Sequence, residues 1–127
     1  MIGIGIDIIS IDRMAETIER SGDIFLRRVF TPAEIDSGRQ CEHPAAFFAM
    51  AFAAKEAVFK ALTLSWEQGI DLRHIEISRG EIGQPLVRIS GHVERVAKEK
   101  GCGQIEISQS FEKNIAVAVA IAVELSK

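Results

Sequence analysis

The sequence predicts an α+β fold in which a mostly antiparallel sheet packs on a long buried helix. Three observations carry that expectation. Isoleucines alternate with small residues at the start of the chain, an alanine- and phenylalanine-rich run follows at Pro44 to Leu62, and the second half reads largely as strand pairs joined by short turns.

Taken in order, Ile2, Ile4, Ile6 and Ile8 alternate with Gly3, Gly5 and Asp7, the period of a buried strand with one bulky face and one bare face, and Asp7 projects on the glycine side. At Ser10, a natural N-cap, the pattern switches to the helical spacing of Ile11, Met14, Ala15 and Ile18, with Gly22 as the expected stop. Thr31-Pro32-Ala33-Glu34 fits a capping box with proline at the first helical position, opening a short helix that Gly38 is expected to interrupt. The run from Pro44 to Leu62 is apolar on nearly every face and must be buried; its only charges are Lys55, Glu56 and Lys60. A hairpin is expected from His74–Arg79 and Leu86–Ser90 around Gly83-Gln84-Pro85, then a helix from Ser90 capped by Gly101. A second hairpin pairs Gln104–Ser110 with Ile115–Glu124. In its last strand Ala116, Ala118, Ala120 and Ala122 face one way and Val117, Val119, Ile121 and Val123 the other, so both sides should be covered, the alanine side by a closely approaching helix.

At 127 residues the chain has room for one domain, 1–127, and its 47% hydrophobic and 26% charged content is that of an ordinary globular protein. A net charge of −3 argues against nucleic acid as a partner. No stretch approaches the roughly 18 apolar residues of a membrane span, and the first residues lack the basic flank of a signal peptide, so a cytoplasmic location is expected. Cys41 and Cys102, and the histidines at 43, 74 and 92, show no zinc-ligand spacing. Together with Trp66 they read as packing or surface residues.

The informative chemistry is a carboxylate, Asp7, on a strand face cleared by glycines, together with Lys55, Glu56 and Lys60 in a helix otherwise too apolar to hold charge. A buried charge is costly unless it is paired or bound to metal. Two readings follow: an internal ion pair, Glu56 with Lys60 or Asp7 with a lysine, or a site for a hard cation such as Mg2+, which is held by one or two carboxylates with substrate phosphates completing its shell.

Gly5-Ile6-Asp7-Ile8 and Phe52-Ala53-Ala54-Lys55-Glu56-Ala57-Val58-Phe59-Lys60 resemble the two signature motifs of the phosphopantetheinyl transferases. The resemblance extends through Phe25, Arg28–Glu34, Gly83-Gln84-Pro85 and the Ser-x-Ser of Ser108 and Ser110, and in length and element order the chain is similar to the small, single-domain type, the holo-acyl-carrier-protein synthases. It implies a homotrimer with active sites between protomers, acting in fatty acid biosynthesis. Asp7 and Glu56 would hold magnesium against the pyrophosphate of coenzyme A, and Lys60 would offset charge on the transferring phosphoryl group. A serine of an acyl carrier protein would attack the β-phosphate, with Glu56 or a metal-bound water taking its proton, and 3′,5′-ADP would leave.

Arg13, Thr17 and Arg20 share one face of the first helix, with Arg27 and Arg28 beyond, and the resemblance implies that this face docks the acidic carrier protein. Asp12, Glu16, Glu19 and Asp23 are interleaved with them, so a solvated helix face laced with ion pairs explains the same residues. The chain departs from the family pattern on the coenzyme A side: Met50-Ala51 stands where Gly-Arg is usual, Thr63-Leu64-Ser65 where a Gly-Thr-Gly phosphate loop is usual, and Phe111 where histidine is usual. An arginine and a glycine-rich loop suit phosphate binding. Three functions therefore stay open: an active transferase, a carrier-binding homologue without activity, and a metal and nucleotide binding module.

Overall fold

The computed structural model describes residues 2–125. In chain order its elements are β1 (Gly3–Ser10), α1 (Ile11–Val29), α2 (Pro32–Arg39), α3 (Pro44–Ala61), β2 (Ile75–Arg79), β3 (Pro85–Ile89), α4 (Gly91–Glu99), β4 (Cys102–Glu112) and β5 (Ile115–Glu124). Strands β1, β5 and β4 form one antiparallel sheet in that order, and β2 and β3 form a separate hairpin whose second strand faces β4 across an open groove.

The alternating patterns explain how α3 meets the sheet. Ala116, Ala118, Ala120 and Ala122 are buried on the face that α3 covers. On β1 the approach is closer still, since a Cβ at Gly3 would lie 2.0 Å from the Ala61 carbonyl oxygen and one at Gly5 2.0 Å from that of Ala57. Only glycine leaves room for the helix backbone there. Phe48 and Val58 of α3 and Leu62 just after it are fully buried in the core, each contributing about 1.5–3 kcal/mol of burial. Phe30 packs on Phe48 with ring centroids 5.0 Å apart, extending the core to the end of α1.

Gly22 ends the first helical stretch as expected, with non-helical φ 51° and ψ −131°, and a second stretch of α1 follows the kink and runs to Val29. Three sequence expectations are corrected. Gly38 does not interrupt α2, which continues to Arg39; its missing Cβ admits the Phe48 ring instead. The isoleucine face of β1 is not buried, because none of the described elements crosses it, and Ile4, Ile6 and Ile8 stay 58%, 55% and 61% exposed. For the same reason the valine side of β5 is only half covered. The second hairpin forms as expected, and Asn114 in its turn also accepts the Asp12 backbone N–H, fastening the start of α1.

Candidate active site

Three of the residues singled out by sequence converge on the flank of α3 that borders β1. Asp7 lies on the inner face of β1, opposite Ala118 in the sheet register. Lys60 reaches it from α3: its Nζ donates to Asp7 Oδ1 at 3.1 Å and to the Ile6 carbonyl at 2.9 Å. Glu56 stands one turn earlier on the same helix face. Its carboxyl is held above the usual carboxylate range, first by partial burial and then by the negative charge of Asp7, with Lys60 pulling the other way. The ion-pair reading of the sequence is thus realised in Asp7 and Lys60, with a second carboxylate beside the pair.

The pair leaves a defined remainder. Asp7 is only 16% exposed in its side chain, and its Oδ2 is buried without a hydrogen-bond partner. Two carboxylates facing one ammonium carry an excess negative charge, and an orphaned carboxylate oxygen is an unfilled ligand position. These features fit a hard divalent cation that takes part of its shell from elsewhere. Among the described residues no group of three or more His, Cys, Asp or Glu side chains could hold a metal alone, so the remaining ligands would be phosphate oxygens and water.

Lys55 does not belong to this site. Adjacent helix residues point about 100° apart, and Lys55 turns into the core, where it is fully buried against Glu34 at 2.8 Å and donates to the carbonyls of Leu72 and Ile75. Burial lowers its pKa, with Glu34 opposing. The partner carboxylate also accepts the backbone N–H groups of Thr31 and Ile77, so one carboxylate ties α2, α3 and β2 together. Sequence reading missed that second role of Glu34, although the capping box that holds it was visible.

Of the docking candidates, Arg13 and Arg20 are exposed on α1 and make no ion pair among the described residues; Asp23 pairs instead with Arg27 and Arg39. Arg13 borders a hollow of about 300 Å³ with Ile8, Thr17, Phe25 and Phe52. The three departures are scattered around α3. Ala51 lines a hollow of about 290 Å³ on the other flank of the helix, with Arg79 and Gln109. Thr63 takes the left-handed conformation, φ 50°, and Lys100 donates to its hydroxyl and to the Leu62 carbonyl, closing the end of α3. Phe111 lies opposite Ala116 and is 51% exposed, so it is not the packed residue an aromatic side chain suggests.

A family model described as the 4′-phosphopantetheinyl transferase superfamily matches residues 3–120. A holo-[acyl-carrier-protein] synthase of Desulforudis audaxviator is 42% identical over 123 residues, 97% of this chain and 93% of that protein. One from Hamiltonella defensa is 36% identical over 121 residues, 95% and 96% of the two chains. The crystal structure of the holo-[acyl-carrier-protein] synthase of Neisseria meningitidis superposes with a TM-score of 0.89 at 30% identity, covering 98% of this chain and all of that one. The Helicobacter pylori enzyme, in complex with coenzyme A, gives a TM-score of 0.80 at 29% identity over 94% and 99%. Signature motifs, fold and full-length similarity agree, and the chain belongs to the holo-[acyl-carrier-protein] synthases of the 4′-phosphopantetheinyl transferase superfamily.

Proposed function

We propose that this chain, as one domain spanning residues 1–127, transfers 4′-phosphopantetheine from coenzyme A to a serine of an apo acyl carrier protein in the cytoplasm, in a magnesium-dependent reaction that releases 3′,5′-ADP. The single observation that carries the reading is the half-buried pair of Asp7 and Glu56 with one unpartnered oxygen, braced by Lys60. Asp7 and Glu56 would hold magnesium, which supplies charge neutralisation at the donor pyrophosphate. Lys60 offsets negative charge on the transferring phosphoryl group. Glu56, its pKa raised, is suited to accept the proton of the carrier serine as the serine oxygen bonds to the β-phosphorus and the bridge to 3′,5′-ADP breaks. Incubating the protein with magnesium, coenzyme A and apo carrier proteins, then weighing the carriers, tests this directly: a mass increase of one phosphopantetheinyl group is expected, and its absence with every carrier favours the inactive, binding-only alternative.

The reading includes a homotrimer. The uncovered face formed by Ile4, Ile6, Ile8, Val117, Val119 and Ile121 supports self-association, since a contiguous apolar face of this kind is a liability on a monomer. The unpaired state of Arg13 and Arg20 favours docking of an acidic carrier over a self-satisfied helix face. Arg13→Glu with Arg20→Glu should therefore raise the KM for carrier protein about tenfold or more, steepen its salt dependence, and leave the KM for coenzyme A nearly unchanged. Equal effects on both substrates would return these arginines to the solvated-helix reading.

Phe111 bears on rate. Being half exposed, it gives up little burial if replaced, whereas an imidazole can hydrogen-bond phosphate or relay a proton. Phe111→His is expected to speed single-turnover transfer, by up to about 10²-fold, with a melting temperature close to wild type. A destabilised variant with no gain in rate rules out a catalytic use of this position.

A further inference from the structure

Strand β1 passes into α1 with no loop between them: Ser10 ends the strand and Ile11 begins the helix. Asp7 and the exposed face that starts at Arg13 are therefore joined through a single backbone corner. The direction in which α1 leaves that corner sets where a carrier seated on Arg13 presents its serine to Asp7 and Glu56.

Packing holds that direction loosely. Of the buried side chains of α1, only Met14 precedes the kink, and the non-helical Gly22 separates this first stretch from the anchored end at Leu26 and Val29. A hollow of about 300 Å³, bordered by Ile8, Met14, Thr17, Phe25 and Phe52, adjoins the first turns, so a change of tilt meets little resistance from the core.

The corner is held by the turn of the second hairpin. The first N–H groups of a helix have no partner within it, and a serine cap supplies one acceptor. Here the Ile11 N–H donates to the Asn114 carbonyl at 2.9 Å and the Asp12 N–H to Asn114 Oδ1 at 2.7 Å. The Arg13 N–H donates to Ser10 Oγ at 3.2 Å, and Asn114 Nδ2 donates to that same oxygen at 3.3 Å. Asn114 thus serves two of these N–H groups directly and fixes the acceptor of the third. Turn geometry does not account for an asparagine at 114, because the positive φ for which asparagine is commonly used falls on Lys113. Glu112 and Ile115 pair across the turn, which makes Asn114 a fixed point of the sheet that carries Asp7.

We infer that Asn114 is a positioning residue for carrier modification, clamping the start of α1 so that the carrier-docking face is held at a set angle to Asp7. The assignment rests on the transferase and docking readings for what is positioned. It concerns the acceptor alone, since Asp7, Glu56 and Lys60 lie on β1 and α3 and meet the donor without passing through α1.

Asn114→Ala should lower kcat/KM for the carrier by about 10- to 10²-fold, the cost of a misaligned acceptor, and leave the KM for coenzyme A and the magnesium dependence unchanged. Asn114→Asp keeps the Oδ1 acceptor and should recover most of the rate. Asn114→Ala combined with Arg13→Glu should lose less than the product of the two single losses, because both act through one docking face. By hydrogen exchange, the amides of residues 11–13 should open faster in Asn114→Ala while the ladder between β1 and β5 keeps its wild-type protection. In a protein that modifies its carrier, the assignment is overturned, and the transferase spared, by any of four results: an unchanged kcat/KM for carrier, an equal loss against coenzyme A, no recovery in Asn114→Asp, or losses that multiply with those of Arg13→Glu. Faster exchange at residues 11–13 with weaker carrier binding by calorimetry, in a chain that modifies no carrier, does the reverse.

Discussion

Asp7→Asn and Glu56→Gln should each lower carrier modification by about 10²- to 10⁴-fold while leaving the far-ultraviolet circular dichroism unchanged. Each substitution removes a charge with little change of volume, so the seam between α3 and β1 stays packed. The two variants differ in stability, and the difference carries a sign. Glu56 has a folded pKa above its ordinary value. The fold therefore favours its protonated form: the stability this group contributes is fully present below the ordinary carboxylate pKa and is lost as pH rises through the raised value. Without metal, Glu56→Gln should melt higher than wild type at neutral pH, and that advantage should shrink to nothing in acid. Added magnesium and coenzyme A should stabilise the wild type and neither variant. Wild-type rates in both variants at saturating magnesium would remove these carboxylates from the reaction.

Lys55→Met should be the most damaging substitution to stability. It removes the cation from a fully buried carboxylate, a change worth about 3–5 kcal/mol, or roughly 10–20 °C in melting temperature for a domain of this size. Adding Glu34→Gln to Lys55→Met should recover part of the loss, because the amide carries no charge and its oxygen can still accept one of the two backbone N–H groups that Glu34 serves. A double variant no better than the single one would show that the backbone contacts of Glu34, and not its charge, dominate. In neither variant should the affinity for coenzyme A change in folded protein, since Lys55 points away from Asp7.

How far the sequence spoke can be judged from these same residues. The alternation in β1 placed Asp7 on the bare face, and the four-residue spacing placed Glu56 with Lys60, because a period in the chain maps directly onto a side of an element. Lys55 stood out with them as a charge in an apolar helix, and the 100° step between neighbours already separates it from Glu56. The interruption at Gly22 was legible, but the helix that resumes beyond it was not, since a glycine that ends a helix and one that bends it leave the same mark. Nor could alternation say that the isoleucine side of β1 lacks a cover among the described residues: apolarity records that a face wants burial, not what buries it. Trp66 was read only as a packing or surface residue, and its stacking on Phe59 stayed hidden because the partner lies across the end of α3, where no periodicity links the two.

The seam at Gly3 and Gly5 sets where this protein can vary. A methyl group at either position would drive into a main-chain carbonyl of α3, and because Asp7 follows on the same strand and Glu56 sits on that helix, such a wedge would prise the two carboxylates apart without touching either. The separation of the carboxylates is thus gauged by main chain resting on main chain, with no rotamer to take up slack. Ala51, Thr63 and Phe111 all stand clear of that joint. Substitutions there leave the spacing of the two carboxylates unaltered, which gives the fold a fixed jaw beside surfaces free to vary.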